Sequence, residues 1–327
     1  MKNTRKAIIT GVGGQDGSYL AELLLEKGYK VWGIHRHHSS IDATLPRLNT
    51  VIDNENFILE SIDITDMSAM ARLFQQVIPD EIYNFAAQSH VKISFEQPIL
   101  TIQNDLIGVQ TILECARMHC KSAKIYQAGS SEMYGTEHEG NNTRSETTTM
   151  RPVSPYACGK LYAYNLCQVY RNSYNMFVVN GILFNHESPR RGIDFVTSKI
   201  VEGAIKIYRG QQTTLALGNL EAGRDWGHAK DFVRAIWMML QHDTSDEWVC
   251  ATGETHTVRE VCEIVFSKLG LNYSDYVIID PKYYRPTEGN TLRGDPSKLS
   301  NKLGWSPEYT FQTMIEEMVE KRLKNEI

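Results

Sequence analysis

The sequence predicts an α/β fold built on a doubly wound parallel sheet, and three observations predict it. Short β-branched runs alternate with amphipathic helical segments up to about residue 184. A glycine-rich turn joins the first run to the first helical segment. The chain, 327 residues with 42% hydrophobic content, is long enough to bury the core that such a sheet requires.

The elements follow in order. "KAIIT" is a strand, "GVGGQDG" a glycine turn, and "SYLAELLLEKG" has helical apolar spacing closed by Gly28 as C-cap. "YKVWGIHR" and "FILESIDI" read as the second and third strands, "MSAMARLFQQVI" as a helix and "EIYNFAA" as the fourth strand. A long helix around "TIQNDLIGVQTILECARMH" leads to the strand "AKIYQAGS", the helix in "SPYACGKLYAYNLCQVYRNSY" and the strand "MFVVNGILF". In such a sheet ligands sit beyond the carboxyl ends of the strands. After Phe184 the alternation breaks: "NHESPRRGIDF" is irregular, "VTSKIVEGAIKIYRG" is helical, and "TTLALGNLEAGRDWGHAKDFVRAIWMML" mixes short strands, loops and a helix. Two units are therefore expected, a dinucleotide-binding part over 1–184 that also draws on parts of 219–250, and a mainly substrate-binding part over 185–327.

Composition excludes several classes. The net charge is −5 and the basic residues are dispersed, which gives no footprint for nucleic acid. Six cysteines without a CxxC pair indicate neither a zinc site nor a disulfide framework, so no metal is expected and the thiols read as reduced, in a cytoplasmic protein. The apolar run near the N-terminus is too short for a signal peptide, and no stretch approaches membrane-spanning length.

Two motifs carry chemistry. Gly11, Gly14 and Gly17 are spaced GxxGxxG between a strand and a helix, where glycine lets backbone amides approach a pyrophosphate at the positive helix end. The spacing is not the GxGxxG of the commonest fingerprint; its place, after a strand and opening a helix, is what reads as a Rossmann-type dinucleotide site. At the end of the second strand, where an acidic residue would bind the ribose diol of NAD, Arg36 stands instead and would pair with the 2′-phosphate of NADP. The second motif is "YACGK". Tyr156 and Lys160, four apart, share a helix face, so the ammonium can lower the pKa of the phenol and bind the nicotinamide ribose, and the phenol can exchange a proton with a sugar hydroxyl. Ser130, near the end of its strand, is placed to hydrogen-bond the same hydroxyl.

With Ser130, Tyr156 and Lys160, the glycine motif resembles the extended short-chain dehydrogenase/reductase family over the whole chain. Within that family "GQDGSYLAELLLEKGY", "QSHVKISFE", "NGILFNHESPRRG", "GNLEAGRDWGHAKD", "ATGETHTVRE" and "KYYRPTE" are similar to the GDP-mannose 4,6-dehydratase branch. The resemblance implies bound NADP and a GDP-linked hexose that is oxidised at C4, dehydrated across C5 and C6 and reduced at C6. It implies Tyr156 as the base toward the C4 hydroxyl, with Ser130 and Lys160 supporting it, and Glu132 as the base toward C5. In related dTDP-glucose dehydratases an aspartate precedes this glutamate; here the position is Ser131, so Glu132 would serve as both base and acid. For the cofactor the resemblance implies Gln15 and Asp16 beside the glycines, Asp63 and Ile64 at the adenine, and Phe85, Ala86, Ala87, Gln88 and Ser89 along the fourth strand end. It adds His186 and Arg191 on the nicotinamide and phosphate side. For the nucleotide sugar it implies Asn185, Lys199, Gly218, Arg224, Arg285 and Glu288, together with Ser89, Ser130 and Glu132. Arginine forks suit a diphosphate and a carboxylate suits sugar hydroxyls.

The chain departs from the family at "RHHSSIDATLPRLN", where a basic, serine-rich run that touches the neighbouring subunit's cofactor is usual, and at Leu100, where an aromatic is common. The stretch before "KYYRPTE" is also short. A homo-oligomer, dimer or tetramer, is expected through the helices around "TIQNDLIGVQTILECA" and "SPYACGKLYAYNLCQVY". Three other readings compete: a dehydratase for GDP-manno-heptose, an epimerase or reductase on the same scaffold, which would not need Glu132, and a non-catalytic NADP-binding regulator, which would usually lack Tyr156 or Lys160.

Overall fold

The computed structural model describes residues 4–36, 45–136, 143–283 and 292–325. The β-branched run after Arg5 forms β1 (Lys6–Thr10) inside a seven-stranded sheet. On one side of it lie β2 (Lys30–His35) and β3 (Phe57–Ser61). On the other lie β4 (Glu81–Asn84), β5 (Lys124–Ala128), the strand Val178–Leu183 and the edge strand Glu247–Cys250. Every pairing in this sheet is parallel. The chain winds outward in both directions from β1 and β4, which opens a crevice beyond their carboxyl ends.

In chain order the helices are α1 (Gln15–Glu26), α2 (Met67–Val77), α3 (Val91–Glu96), α4 (Pro98–Ile102), α5 (Val109–His119) and α6 (Pro155–Tyr174). They continue with α7 (Val196–Tyr208), α8 (Ala229–Gln241), α9 (Val258–Lys268), α10 (Ser297–Leu303) and α11 (Phe311–Leu323). Strand alternation decides what each layer buries. Ala7 and Ile9 of β1 face a core shared with α1, α8 and Leu299 of α10, whereas Ile8 faces the opposite core with α2, α5 and α6. A third core joins α7, α9 and α11 around Trp226 and Leu215. The sheet unit thus draws α8, the strand Glu247–Cys250 and α10 from the second half of the chain, while α7, α9 and α11 form the layer beside it.

Local chemistry accounts for the termini that frame the site. Gly28, with φ +80°, follows α1 in the left-handed region that ends a helix. Ser154 caps α6, its Oγ accepting from the Ala157 N–H at 3.1 Å, and Pro155 fills the first helical position, where no N–H is needed. The segment expected as one helix over 101–119 is interrupted: a π-helical turn, Gln103–Gly108, separates α4 from α5. That turn carries Asp105 into the interior. No helix of the described residues is long and apolar enough to cross a membrane.

Candidate active site

Gly11, in the loop between β1 and α1, and Gly17, in the first turn of α1, stand where only glycine fits. Gly11 has φ +67°, and a Cβ on it would lie 2.9 Å from the Ala86 amide nitrogen after β4. A Cβ on Gly17 would lie 2.5 Å from the Gly11 carbonyl oxygen. The loop therefore touches both β4 and its own helix, which leaves the N-terminus of α1 bare at the crevice, and these residues fit a dinucleotide pyrophosphate. Gln15 and Asp16 anchor α1 to the strand Asn185–Glu187: Gln15 Nε2 donates to the His186 carbonyl at 3.1 Å and the Ser188 hydroxyl donates to Gln15 Oε1 at 2.7 Å.

His186 and Asp16, expected as separate cofactor contacts, form an ion pair with Nε2 2.9 Å from Oδ2. The other ring nitrogen of His186 lies 2.7 Å from the Phe184 carbonyl oxygen. Both nitrogens thus face acceptors, which only the doubly protonated ring satisfies. Burial disfavours that charge, but the Asp16 carboxylate outweighs burial and raises the His186 pKa; reciprocally, the histidine offsets burial and lowers that of Asp16. The negative charge beside the pyrophosphate position is thereby neutralised from within the protein.

Around this loop the other expected cofactor residues separate. Arg36 is exposed at the end of β2. Asp63 follows β3 and its Oδ1 accepts from the Thr65 N–H and hydroxyl at 2.9 and 2.8 Å. Ile64 is buried in the core against Gly108, where a Cβ would meet its Cδ1. Phe85, Ala86, Ala87 and Gln88 line the exit of β4 half-buried, the Ala86 N–H donating to Thr10 Oγ1 at 3.3 Å, and Ser89 is exposed. Arg191 pairs with Glu187 at 3.2 Å and stacks over Phe195 at 3.6 Å.

Tyr156 and Lys160 are buried, 8% and 4% exposed. Lys160 Nζ donates to the Ala128 carbonyl at the end of β5, at 3.0 Å, and stands 5.7 Å from the centre of the Tyr156 ring. Ser130 lies two residues beyond Ala128, its hydroxyl accepting from the Glu132 N–H at 3.2 Å and near enough to the Tyr156 phenol to favour its ionised form. Glu132 belongs to the short 3₁₀ turn Ser131–Tyr134, and its charge reaches Tyr156. The four residues thus converge from β5 and α6.

The electrostatics differ from the expectation that Lys160 lowers the phenol. Burial raises the Tyr156 pKa, the Asp105 and Glu132 carboxylates raise it further, and the Ser130 hydroxyl and Arg191 act the other way. Burial also lowers the Lys160 pKa, against Asp105 and Asp16, which support its charge. In the protein alone, desolvation of both groups outweighs the attraction that spacing predicts.

Asp105 itself was not anticipated. It is 1% exposed, its Oδ1 accepts from the Gln88 N–H at 3.2 Å, and burial pushes its pKa up to about 6 while Lys160 pulls it down. Its Oδ2 and the Gln88 Oε1 are buried acceptors without a partner. A Cβ on Gly159 would come within 3.0 Å of the Asp105 Cβ, so the glycine between Tyr156 and Lys160 admits the carboxylate to the helix. Gln103 and Asn104 precede Asp105 and Glu114 and Arg117 follow it in the same helical stretch, so the sequence does not single it out.

Among the expected sugar-nucleotide residues, Lys199 of α7 and Gly218 meet at one place. Lys199 Nζ donates to the Ala216 carbonyl at 2.9 Å and lies 3.5 Å from the centre of the Tyr283 ring, and a Cβ on Gly218 would be 2.9 Å from the Tyr283 carbonyl oxygen. Asn185 is half-buried at the start of its strand, and Arg224 NH1 donates to the Gly223 carbonyl at 2.7 Å. Arg285 and Glu288 lie outside the described residues. Neither does any cluster of His, Cys, Asp or Glu that could hold a metal occur among the described residues.

Known proteins resemble this chain over nearly its whole length. The chain is 47% identical to a GDP-mannose 4,6-dehydratase of Vibrio cholerae, across 98% of this chain and 94% of the relative. It is 46% identical to the human GDP-mannose 4,6 dehydratase, across 96% and 90%. Among solved structures, a Thermus thermophilus UDP-glucose 4-epimerase in complex with NAD aligns with TM-score 0.83 and 27% identity over 96% of this chain and 98% of that one. The dTDP-glucose 4,6-dehydratase of Bacillus anthracis shares the fold at TM-score 0.86 and 22% identity, over 99% and 98%. The model of the family described as GDP-mannose 4,6 dehydratase matches residues 8–318, and the chain belongs to that family.

Proposed function

We propose that this chain is an NADP-dependent 4,6-dehydratase that converts GDP-mannose to GDP-4-keto-6-deoxymannose. The observation that carries this reading is the convergence of Tyr156, Ser130 and Lys160 with a second carboxylate, Glu132, two residues from Ser130 on the same turn. An epimerase or reductase needs the first three residues and has no use for the fourth.

A bound nicotinamide supplies hydride acceptance and return, and the protein supplies the rest. Ser130 holds the C4 hydroxyl, and Tyr156 takes its proton as C4 becomes a ketone. Lys160 provides the positive charge on the far side of the phenol, and its bond to Ala128 fixes where that charge sits. The ketone acidifies C5, Glu132 removes that proton, and the C6 hydroxyl departs as water, protonated by the same glutamate because the preceding residue is Ser131. Arg36 at the end of β2 favours the 2′-phosphate of NADP, and the paired Asp16 and His186 leave the helix dipole of α1 free to attract the pyrophosphate. Lys199, Gly218 and Arg224, with Arg285 and Glu288, hold the GDP-sugar in a cytoplasmic enzyme.

Incubation with GDP-mannose and, separately, with GDP-manno-heptose, followed by mass spectrometry, tests the substrate. Loss of one water from GDP-mannose is the expected result; loss only from the heptose would overturn the hexose assignment.

A second copy of the chain is the expected partner. Ile99 of α4 is 67% exposed, and Phe95, Ile107, Tyr162 and Val169 are exposed beside it on α3, the π turn and α6. So much apolar side chain on the helices flanking the site fits burial against a copy of itself. Light scattering at micromolar concentration should report at least a dimer, with Ile99→Asp shifted toward monomer; a parent chain that is only monomeric refutes the assembly.

A further inference from the structure

Arg47 lies on the short 3₁₀ turn Leu45–Leu48, which follows β2 in the chain, and its guanidinium NH1 donates to the carbonyl oxygen of Gly13 at 3.1 Å. The side chain is half-buried. It belongs to a cluster of four arginines with Arg190, Arg191 and Arg322, whose charges, after burial, depress its pKa. The other three have carboxylates: Arg190 pairs with Glu22 at 2.5 Å, Arg191 with Glu187 at 3.2 Å and Arg322 with Glu202 at 3.6 Å. Among the described residues Arg47 has no carboxylate partner; its one bond goes to the neutral carbonyl of the glycine-rich loop. A cation drawn partly out of water toward other cations, without a counter-charge, is unfavourable unless an anion completes it.

Its location identifies the anion. Arg47 is held against Gly13, immediately before Gly14, the N-cap of α1, on a turn that follows β2 in the chain and packs against α1. The diphosphate of a dinucleotide takes the amides at the start of the helix, whereas the 2′ position of the adenosine ribose lies toward the end of the second strand. A guanidinium with one donor committed to the loop keeps its remaining donors for a phosphate, in the fork geometry that suits two oxygens. Arg36, just past the end of β2, is exposed, where screening by solvent weakens any single charge.

We propose that Arg47 is a specificity-determining residue that binds the 2′-phosphate of the cofactor adenosine, with the Gly13 carbonyl orienting its guanidinium. The inference rests on the NADP reading given above and deepens it: discrimination between the two dinucleotides comes from the half-buried arginine on the glycine loop more than from the exposed one.

The test is direct binding, read by protein fluorescence on titration with NADPH and with NADH, for the full chain and for Arg47→Ala and Arg47→Gln. The glutamine can still donate to the Gly13 carbonyl but carries no charge. Both variants are expected to bind NADPH about tenfold or more weakly while NADH affinity stays within about twofold, and Arg36→Ala is expected to lose less. Unchanged NADH binding also shows that the loop is intact. Equal losses for both dinucleotides would mean that Arg47 serves the diphosphate or the loop itself and would overturn the proposal, as would NADPH binding at the parent level. A parent chain that binds NADH as tightly as NADPH would overturn the NADP reading together with the inference. A parent that prefers NADPH, and keeps that preference in both variants, would overturn the inference alone.

Discussion

Tyr156→Phe is expected to slow oxidation of the sugar at C4 by roughly three to five powers of ten, because it removes both a proton acceptor and a positioning contact. Proton transfer by a placed side chain contributes ~10²–10⁴, and loss of the hydroxyl that faces the substrate beside Ser130 removes orientation in addition. The fold should tolerate the change: the ring stays buried, and the cost of one lost hydroxyl bond is about 1 kcal/mol. A single-turnover measurement with GDP-mannose, beside a thermal melt, separates the two effects. The pH dependence has a definite sign. Burial, Asp105 and Glu132 all raise the phenol pKa, so the reactive phenolate is the form disfavoured at low pH, and C4 oxidation in the parent should fall as pH decreases. Retention of more than about a tenth of the parent rate in Tyr156→Phe would exclude the phenol as the base.

The parts of this arrangement that rest on local pattern are legible in the sequence, and the parts that rest on distant pairing are not. The alternation of Ala7 and Ile9 against Ile8 has the period of a strand, and the glycines that follow it stand where backbone meets backbone, so both the sheet and its loop can be read from the chain. Tyr156 and Lys160 are likewise visible from their spacing. Their burial is not, and burial reverses the direction of the pKa shift that spacing alone predicts. Asp16 and His186 are separated by 170 positions, and nothing in either neighbourhood marks them as partners until the strand Asn185–Glu187 is laid beside α1. Asp105 is hidden for a different reason. The π turn Gln103–Gly108 inserts a residue into a helical period and swings the carboxylate toward Lys160, so a regular 3.6-residue reading assigns it no special direction. The strand Glu247–Cys250 is too short to announce itself and becomes the seventh strand only by pairing with Val178–Leu183.

Glu132→Gln should divide the reaction where Tyr156→Phe abolishes its start. The glutamine keeps the shape of the glutamate, and the backbone bond from position 132 to the Ser130 hydroxyl does not involve the side chain, so the turn Ser131–Tyr134 should hold Ser130 in place. Tyr156 retains its partners and loses one neighbouring negative charge, a change that eases ionisation of the phenol. Oxidation at C4 is therefore expected to proceed at a rate comparable with the parent. The following step requires a group that takes the C5 proton and then delivers one to the departing C6 oxygen. An amide does neither, and Ser131, buried beside it, is not a carboxylic acid that could substitute. Water loss should fall by roughly 10²–10⁴, and a 4-keto sugar with its C6 oxygen intact should accumulate in a single turnover. Isotope exchange gives an independent reading: in deuterated solvent the parent's product should carry deuterium at C5, and the sugar recovered from the variant should not. If the variant eliminates water at the parent rate, Glu132 is a spectator on its turn and the carboxylate that distinguishes a dehydratase from an epimerase must lie elsewhere in the site.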